Sequence, residues 1–193
     1  MLAANADQYQ GRFDEAERLL SRALSIIEDA YGSDHTRVGV VLNHLGEVAL
    51  RREQTEQATE HFGRAADIFK AALGEDHEYY LVQIVSLGGT LTVAGRHDEA
   101  IALLEPVVAK LTDQLGPNRL SAGAHSVLGR ALLGAQRYQE AERELGAAFR
   151  FFAEQASGLN AEAKAAGQRL VRVYEATGQT ELAEQLAARL TRQ

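Results

Sequence analysis

The sequence predicts an all-α protein: an array of about five helical hairpins, with about ten antiparallel helices in 193 residues. Three observations lead there. First, one segment recurs, as Gly11-Arg12-Phe13-Asp14-Glu15-Ala16, Gly95-Arg96-His97-Asp98-Glu99-Ala100, Gln136-Arg137-Tyr138-Gln139-Glu140-Ala141 and Gly178-Gln179-Thr180-Glu181-Leu182-Ala183, with a degenerate copy at Glu53-Gln54-Thr55-Glu56-Gln57-Ala58. Its alanines fall at 16, 58, 100, 141 and 183, and a fixed period near 42 residues is the signature of a repeat architecture. Second, the first four of these alanines open an apolar stripe at offsets 0, 4, 7 and 11, one face of a 3.6-residue helix. Third, glycine-led joints return at 32, 74, 116 and 158.

The repeats run approximately 1–32, 33–74, 75–116, 117–158 and 159–193, read as a single domain. The second helix of each hairpin, helix B, carries the stripe: Ala16, Leu20, Ala23 and Ile27; Ala58, Phe62, Ala65 and Phe69; Ala100, Leu104, Val107 and Leu111; Ala141, Leu145, Ala148 and Phe152. Alanine at the first position lets two helix axes approach, while larger residues below fill the space between layers. Helix A carries Leu45-Gly46, Leu87-Gly88 or Leu128-Gly129, with Leu170-Val171 in the last repeat. A mid-helix glycine costs about 1 kcal/mol against alanine, so its recurrence predicts contact too tight for a side chain.

The joints Gly32-Ser33-Asp34, Gly74-Glu75-Asp76, Gly116-Pro117-Asn118 and Gly158-Leu159-Asn160 read as stop-then-start signals. Glycine suits the left-handed end of one helix, and Asp or Asn two residues later suits the cap of the next. The first repeat looks truncated, because Met1 stands where the middle of its helix A belongs. Its uncovered hairpin predicts a further partner there, such as a second copy in a homodimer.

Composition narrows the chemistry. A net charge of −7, with three lysines, argues against a nucleic-acid backbone as partner. With no cysteine, disulfides, thiol catalysis and cysteine-ligated metals are excluded. No apolar run reaches the length that spans a membrane, and the N-terminus lacks the features of a signal peptide, so a cytoplasmic setting is expected.

The Leu-Gly pair, the alanine twelve residues after that glycine, and the stripe together resemble the tetratricopeptide repeat. The 42-residue form, with Gly32-Ser33-Asp34-His35, Gly74-Glu75-Asp76-His77 and Leu42-Asn43-His44-Leu45-Gly46, is similar to the kinesin light chain type, and many bacterial proteins carry such repeats. The resemblance implies a right-handed superhelical solenoid whose A helices line a concave groove for a peptide or partner helix, with no catalysis and no cofactor. It further implies groove positions 3 before and 1, 4 and 5 after the Leu-Gly glycine. These give Asn5 and Tyr9 in repeat one, Asn43, Glu47 and Arg51 in repeat two, and Val85 and Thr92 in repeat three, beside Val82. Repeats four and five supply Ser126 and Arg130, then Gln168 and Arg172. Arg51, Arg130 and Arg172 form a sparse basic line suited to carboxylates, unless they pair with neighbours such as Glu47 and Glu175. The second and third A helices hold no lysine, so the carboxylate clamp that takes chaperone tails is not expected.

Other candidates reduce to structure. His35 and His77 stand one repeat apart, near helix starts, and a metal needs three or four converging ligands. His44, His61, His97 and His125 sit in no metal motif, and no metal site is expected. Glu140 and Glu144 alternate with Arg137 and Arg143 as an ion-paired helix face. No phosphate-binding loop, dinucleotide fingerprint or Gly-x-Ser-x-Gly elbow occurs, and no enzyme is expected. The leading expectation is a protein-interaction scaffold. The rivals are a regulatory or sensory module of a larger bacterial signalling protein, such as a kinase or transcription regulator, and a self-associating domain.

Overall fold

The computed structural model describes residues 2–155 and 159–191, with side chains from residue 12 onward. Among these, nine helices and no strand occur: α1 (Leu2–Tyr31), α2 (Thr36–Arg51), α3 (Thr55–Leu73), α4 (Glu78–Val93), α5 (His97–Leu115), α6 (Arg119–Gly134), α7 (Tyr138–Glu154), α8 (Ala161–Ala176) and α9 (Thr180–Thr191). The chain divides into two units, Met1–Thr90 and Leu91–Gln193, with the division inside α4.

The hairpin turns have one chemistry. Residues 53, 95, 136 and 178 all take positive φ, at 61°, 77°, 60° and 74°. The next amide donates to the carbonyl five residues back: Gln54 to Ala49 (2.9 Å), Arg96 to Leu91 (2.9 Å), Arg137 to Leu132 (2.9 Å) and Gln179 to Tyr174 (2.8 Å). This is the Schellman closure, which satisfies the orphan carbonyls at a helix end. Glycine fills it twice; Glu53 and Gln136 hold it against the steric preference of L-residues.

The recurring Arg and Glu beside the turn pair with each other. Arg96 forks onto Glu99 at 2.8 and 2.6 Å, and Arg137 forks onto Glu140 at 2.7 and 2.6 Å.

The first such segment behaves differently. α1 runs straight through Gly11, so nine helices stand where about ten were expected. Carrying one glycine in a helix costs only about 1 kcal/mol.

In unit 1, α1 packs on α2. Leu20, Leu24 and Ile27 lie against Val38, Leu42, Leu45 and Phe69. The α1 stripe is half-buried, whereas Ala58, Phe62, Ala65 and Phe69 are at most 2% exposed. Arg52 ties down α1 through Asp14 (3.0 Å) and Glu17, and Arg64 does so through Glu28.

In unit 2, α6 is packed by α5 and α7, α8 by α7 and α9, and α6 also touches α8. Ala100, Leu104 and Leu111 and then Ala141, Leu145 and Ala148 are fully buried. Two of the three mid-helix glycines, Gly46 and Gly129, have the expected cause. A Cβ on Gly46 would stand 2.7 Å from the Phe62 ring, and one on Gly129 would stand 2.6 Å from Leu145 Cγ.

The caps divide into two kinds. Asn118 Oδ1 accepts from the amides of Leu120 (2.8 Å) and Ser121 (2.9 Å), and Asn160 Oδ1 accepts from Ala163 (2.7 Å), as expected. At the first two joints the acceptor is instead a histidine ring. His35 Nδ1 accepts from Arg37 (3.2 Å), and His77 Nδ1 accepts from Tyr79 (3.1 Å). These histidines stand one residue beyond Asp34 and Asp76 because α2 and α4 begin one residue later after their glycine. The joint glycines Gly32, Gly74 and Gly116 all take positive φ, while Gly158 lies outside the described residues.

Candidate functional site

The A-helix positions differ between the units in how much hydrogen-bonding capacity they leave unspent. In unit 1, buried Gln83 of α4 donates to Asn43 Oδ1 of α2 at 2.9 Å. Asn43 in turn donates to Glu47 Oε1 at 3.1 Å, so this face is knitted internally. Val82 and Val85 are half-buried on α4. Arg51 is exposed and makes no ion pair among the described residues; Glu47 is engaged by Asn43. Asn5 and Tyr9 fall in α1, with side chains outside the described residues.

In unit 2, Thr92 is buried at 7% exposure. Ser126 and Arg130 are half-buried on α6, whereas Gln168 and Arg172 are exposed on α8. Between the last two lies half-buried Arg169, which the sequence reading passed over. Burial lowers the Arg130 guanidinium from its ordinary value, and the charge of Arg169 adds to the effect. Burial likewise lowers Arg169, helped by the charge of Arg172. Arg169 therefore stands within electrostatic reach of Arg130 and of Arg172, the latter three residues further along α8. Among the described residues, Ser126, Gln168, Arg169 and Arg172 make no side-chain hydrogen bond or ion pair. The expected alternative, a pairing of Arg172 with Glu175, is not formed.

Several arginines elsewhere are spent on acids: Arg52 on Asp14 and Glu17, Arg64 on Glu28, Arg96 on Glu99, Arg119 on Glu162, Arg143 on Glu144. A missed signal for Arg169 was available, since Arg169 and Arg172 are spaced i, i+3 on a predicted helix.

A second polar cluster lies between α5 and α7. His125 Nδ1 stands 2.6 Å from Glu144 Oε2, and its Nε2 stands 3.2 Å from Thr112 Oγ1. Two depressions of about 440 and 360 Å³ flank this pair and share Thr112 and His125. The order hydroxyl, imidazole, carboxylate is that of a hydrolytic triad. Thr112, however, donates its proton to Val108 O at 2.8 Å. With its proton committed to that carbonyl, the hydroxyl is not placed to pass it to His125. Burial would raise the Glu144 carboxyl, but hydrogen bonds from His125 and Arg143 outweigh it and hold the group below its ordinary value. Among the described residues no group of three or more His, Asp or Glu side chains converges as for a metal, and no helix is long and apolar enough to cross a membrane.

A sequence profile described as "Tetratricopeptide repeat" matches residues 1–71 and 39–107, together more than half of the chain. The chain is 28% identical over 106 residues to Protein KINESIN LIGHT CHAIN-RELATED 2 of Arabidopsis thaliana, covering 55% of this chain and 16% of that protein. It thus spans a small part of the length of the curated relatives it matches. A putative kinesin light chain of Podosopora anserina with nearly identical TPR-like repeats superposes with a TM-score of 0.77 at 24% identity, over 97% of this chain and 90% of the other. A Rap protein complexed with competence and sporulation factor superposes with a TM-score of 0.72 at 21% identity, over 94% of this chain and 50% of the other. At these identities the two structural likenesses are of fold alone.

Proposed function

Because the chain belongs to the tetratricopeptide repeat family, we propose that it is a non-catalytic protein-interaction module that takes a peptide or partner helix on the face formed by its A helices. Such repeats typically serve protein–protein interaction, and a Rap protein of the same fold is complexed with competence and sporulation factor. The observation that carries the reading is the unspent donor set on α6 and α8, namely Ser126, Gln168, Arg169 and Arg172. Polar groups that the fold does not need to pair are available to a ligand, and guanidinium groups suit carboxylates and other planar anions. Unit 1, taken by itself, carries Val82, Val85 and Arg51 on its A helices, suited to an apolar side chain and an acid.

The test is a selection from a random peptide library with the wild-type chain and with the Arg130→Glu, Arg172→Glu double variant. Peptides enriched on the wild type should be lost from a variant that keeps its helical circular dichroism and unfolding midpoint. Unchanged enrichment would remove the α6–α8 face from the interaction.

A second reading is favoured by α1, where Leu19 and Ile26 are 52% and 57% exposed and seven residues apart on one face. That face suits self-association of two copies. A strict monomer by light scattering at tens of micromolar (about 10–100 μM, well above a micromolar dissociation constant) would eliminate it.

A further inference from the structure

We propose that the larger depression of unit 2, between α5, α6 and α7, is a site for a free aromatic α-amino acid. The ring lies inside, and Arg150 and Glu154 hold the two charged groups at the mouth. The inference uses none of the residues invoked for the peptide and goes beyond that reading.

The depression holds about 440 Å³, inside the range of about 300–1,000 Å³ usual for small-molecule sites. Pro117, Ala122, Ala147 and Phe151 line it beside the His125 ring. Phe151 is half-buried and meets Phe152 edge-on, with ring centroids 5.5 Å apart. Glu144 holds the imidazole through a contact of 2.6 Å. The α5–α6 joint is fixed as well: Ser121 Oγ donates to Gly116 O at 2.8 Å, and Asn118 caps α6. A site already shaped in this way loses little freedom when a ligand enters. A phenyl and an imidazole in one lining suit an aromatic ring better than an aliphatic chain.

The charges at the mouth then select the ligand. Arg150 and Glu154 line the same depression, one turn apart on α7, and both are exposed. Neither makes a hydrogen bond or an ion pair among the described residues, although the Arg150 charge reaches Tyr174 of α8. Arg followed by Glu at i, i+4 is the weaker of the two orders for a mutual pair. Glu154 is also the last residue of α7, where the negative end of the helix dipole repels a carboxylate. A cation brought from outside relieves that repulsion, and an anion brought with it satisfies the guanidinium. An α-amino acid carries both groups on one carbon atom, next to the side chain that fills the apolar lining. A simple carboxylic acid would meet Glu154 with its own charge, and a simple amine would meet Arg150.

The experiment titrates the full chain by calorimetry at about pH 6.5, where free amino groups are charged. The ligands are L-phenylalanine, N-acetyl-phenylalanine, phenylalaninamide, the doubly blocked N-acetyl-phenylalaninamide, and glycine. Phenylalanine should bind with a dissociation constant between about 10 μM and 1 mM, the range open to a ligand of about twelve non-hydrogen atoms. Blocking either charged group should weaken binding at least about fivefold, and glycine, without a ring, should not bind. Arg150→Gln should weaken phenylalanine and N-acetyl-phenylalanine and leave phenylalaninamide unaffected. Glu154→Gln should weaken phenylalanine and phenylalaninamide and leave N-acetyl-phenylalanine unaffected. Both residues are exposed, so these variants keep the fold, which circular dichroism checks. Ala147→Leu, which fills the depression, should abolish binding, while Arg22→Gln on α1 changes nothing. No heat from phenylalanine up to about 10 mM, tenfold above the weakest expected constant, overturns the site. Binding of the doubly blocked form as tightly as phenylalanine overturns it too, since that marks a pocket for a partner's internal side chain. So does affinity indifferent to both Arg150→Gln and Glu154→Gln. Each of these results leaves the peptide reading standing, because that reading is tested by the library selection.

Discussion

Two glycines of α6 allow the close-packing argument to be tested within one helix. A Cβ on Gly129 would lie 2.6 Å from Leu145 Cγ, 2.9 Å from its Cδ2 and 3.0 Å from its backbone nitrogen. Relaxed carbon contacts lie near 3.5–4.0 Å, so about 1 Å must be found, and the backbone of α7 cannot supply it cheaply. Overpacking of this kind costs about 1–3 kcal/mol, against about 1 kcal/mol gained from the helix propensity of alanine. With a backbone atom among the contacts, Gly129→Ala should lose about 1–2 kcal/mol net. Gly123, six residues earlier, has nothing within 4 Å of its would-be Cβ. Gly123→Ala should therefore keep the propensity gain and stabilise by about 1 kcal/mol. The two variants should differ by about 2–3 kcal/mol, a gap of about 5–10 °C for a chain of this length. Urea and thermal unfolding followed by circular dichroism at 222 nm measure both. Equal shifts of the two variants, or a Gly129→Ala variant more stable than wild type, would refute the tight-contact explanation. A cycle with Leu145→Ala sharpens the test, because the losses at 129 and 145 should be less than additive if the two residues touch as described.

Three further outcomes follow from the geometry. Glu53→Gly and Gln136→Gly should each raise the unfolding midpoint, since relief of a left-handed residue (about 1–2 kcal/mol) exceeds the entropic cost of glycine (about 0.5–1 kcal/mol); a loss of stability in both would contradict it. Asn118→Ala removes the acceptor for Leu120 and Ser121 and should cost about 1 kcal/mol in urea titration, whereas Asp34→Ala, which leaves the His35 cap in place, should cost less. The Glu144 carboxyl is held below its ordinary value in the fold, so its contribution is present above the unfolded carboxylate range and fades as pH falls through the lower folded value. Glu144→Gln should thus destabilise at pH 7, with the gap from wild type closing in strongly acid solution; a gap that persists there would locate the effect in packing.

Much of the fold was legible in sequence because the signals are local and periodic. The stripe from Ala58 to Phe69 needs only helical geometry to face one way, and Gly95 announces the left-handed turn it makes. What escaped depends on surroundings. Gly11 reads like Gly95, yet the helix runs through it, so the motif alone does not dictate a turn. His35 and His77 replaced the expected aspartates as caps because an imidazole nitrogen can accept as a carboxylate oxygen does, once the helix starts one residue later. The bond from Gln83 to Asn43 joins residues forty positions apart, beyond the reach of periodicity. Arg169 was passed over because the groove positions carried over from the family skip it, although it stands beside two residues they include.

The closures at 53, 95, 136 and 178 also divide the chain into stiff and compliant parts. From the Leu-Gly glycine, or Val171 in its place, to the following alanine the distance is twelve residues in all four complete repeats. From the joint glycine to that same point it is fourteen residues twice and thirteen twice. Length has been adjusted at the seams and never inside the cartridges. The reason is rotational: one residue added inside a hairpin would turn helix B by about 100° and carry its stripe away from helix A. One added at a joint is absorbed before the next cap, as the histidine-capped joints already demonstrate. Insertions that lengthen or re-aim this protein, whether natural or engineered, therefore have a place where the register forgives them and a place where it does not.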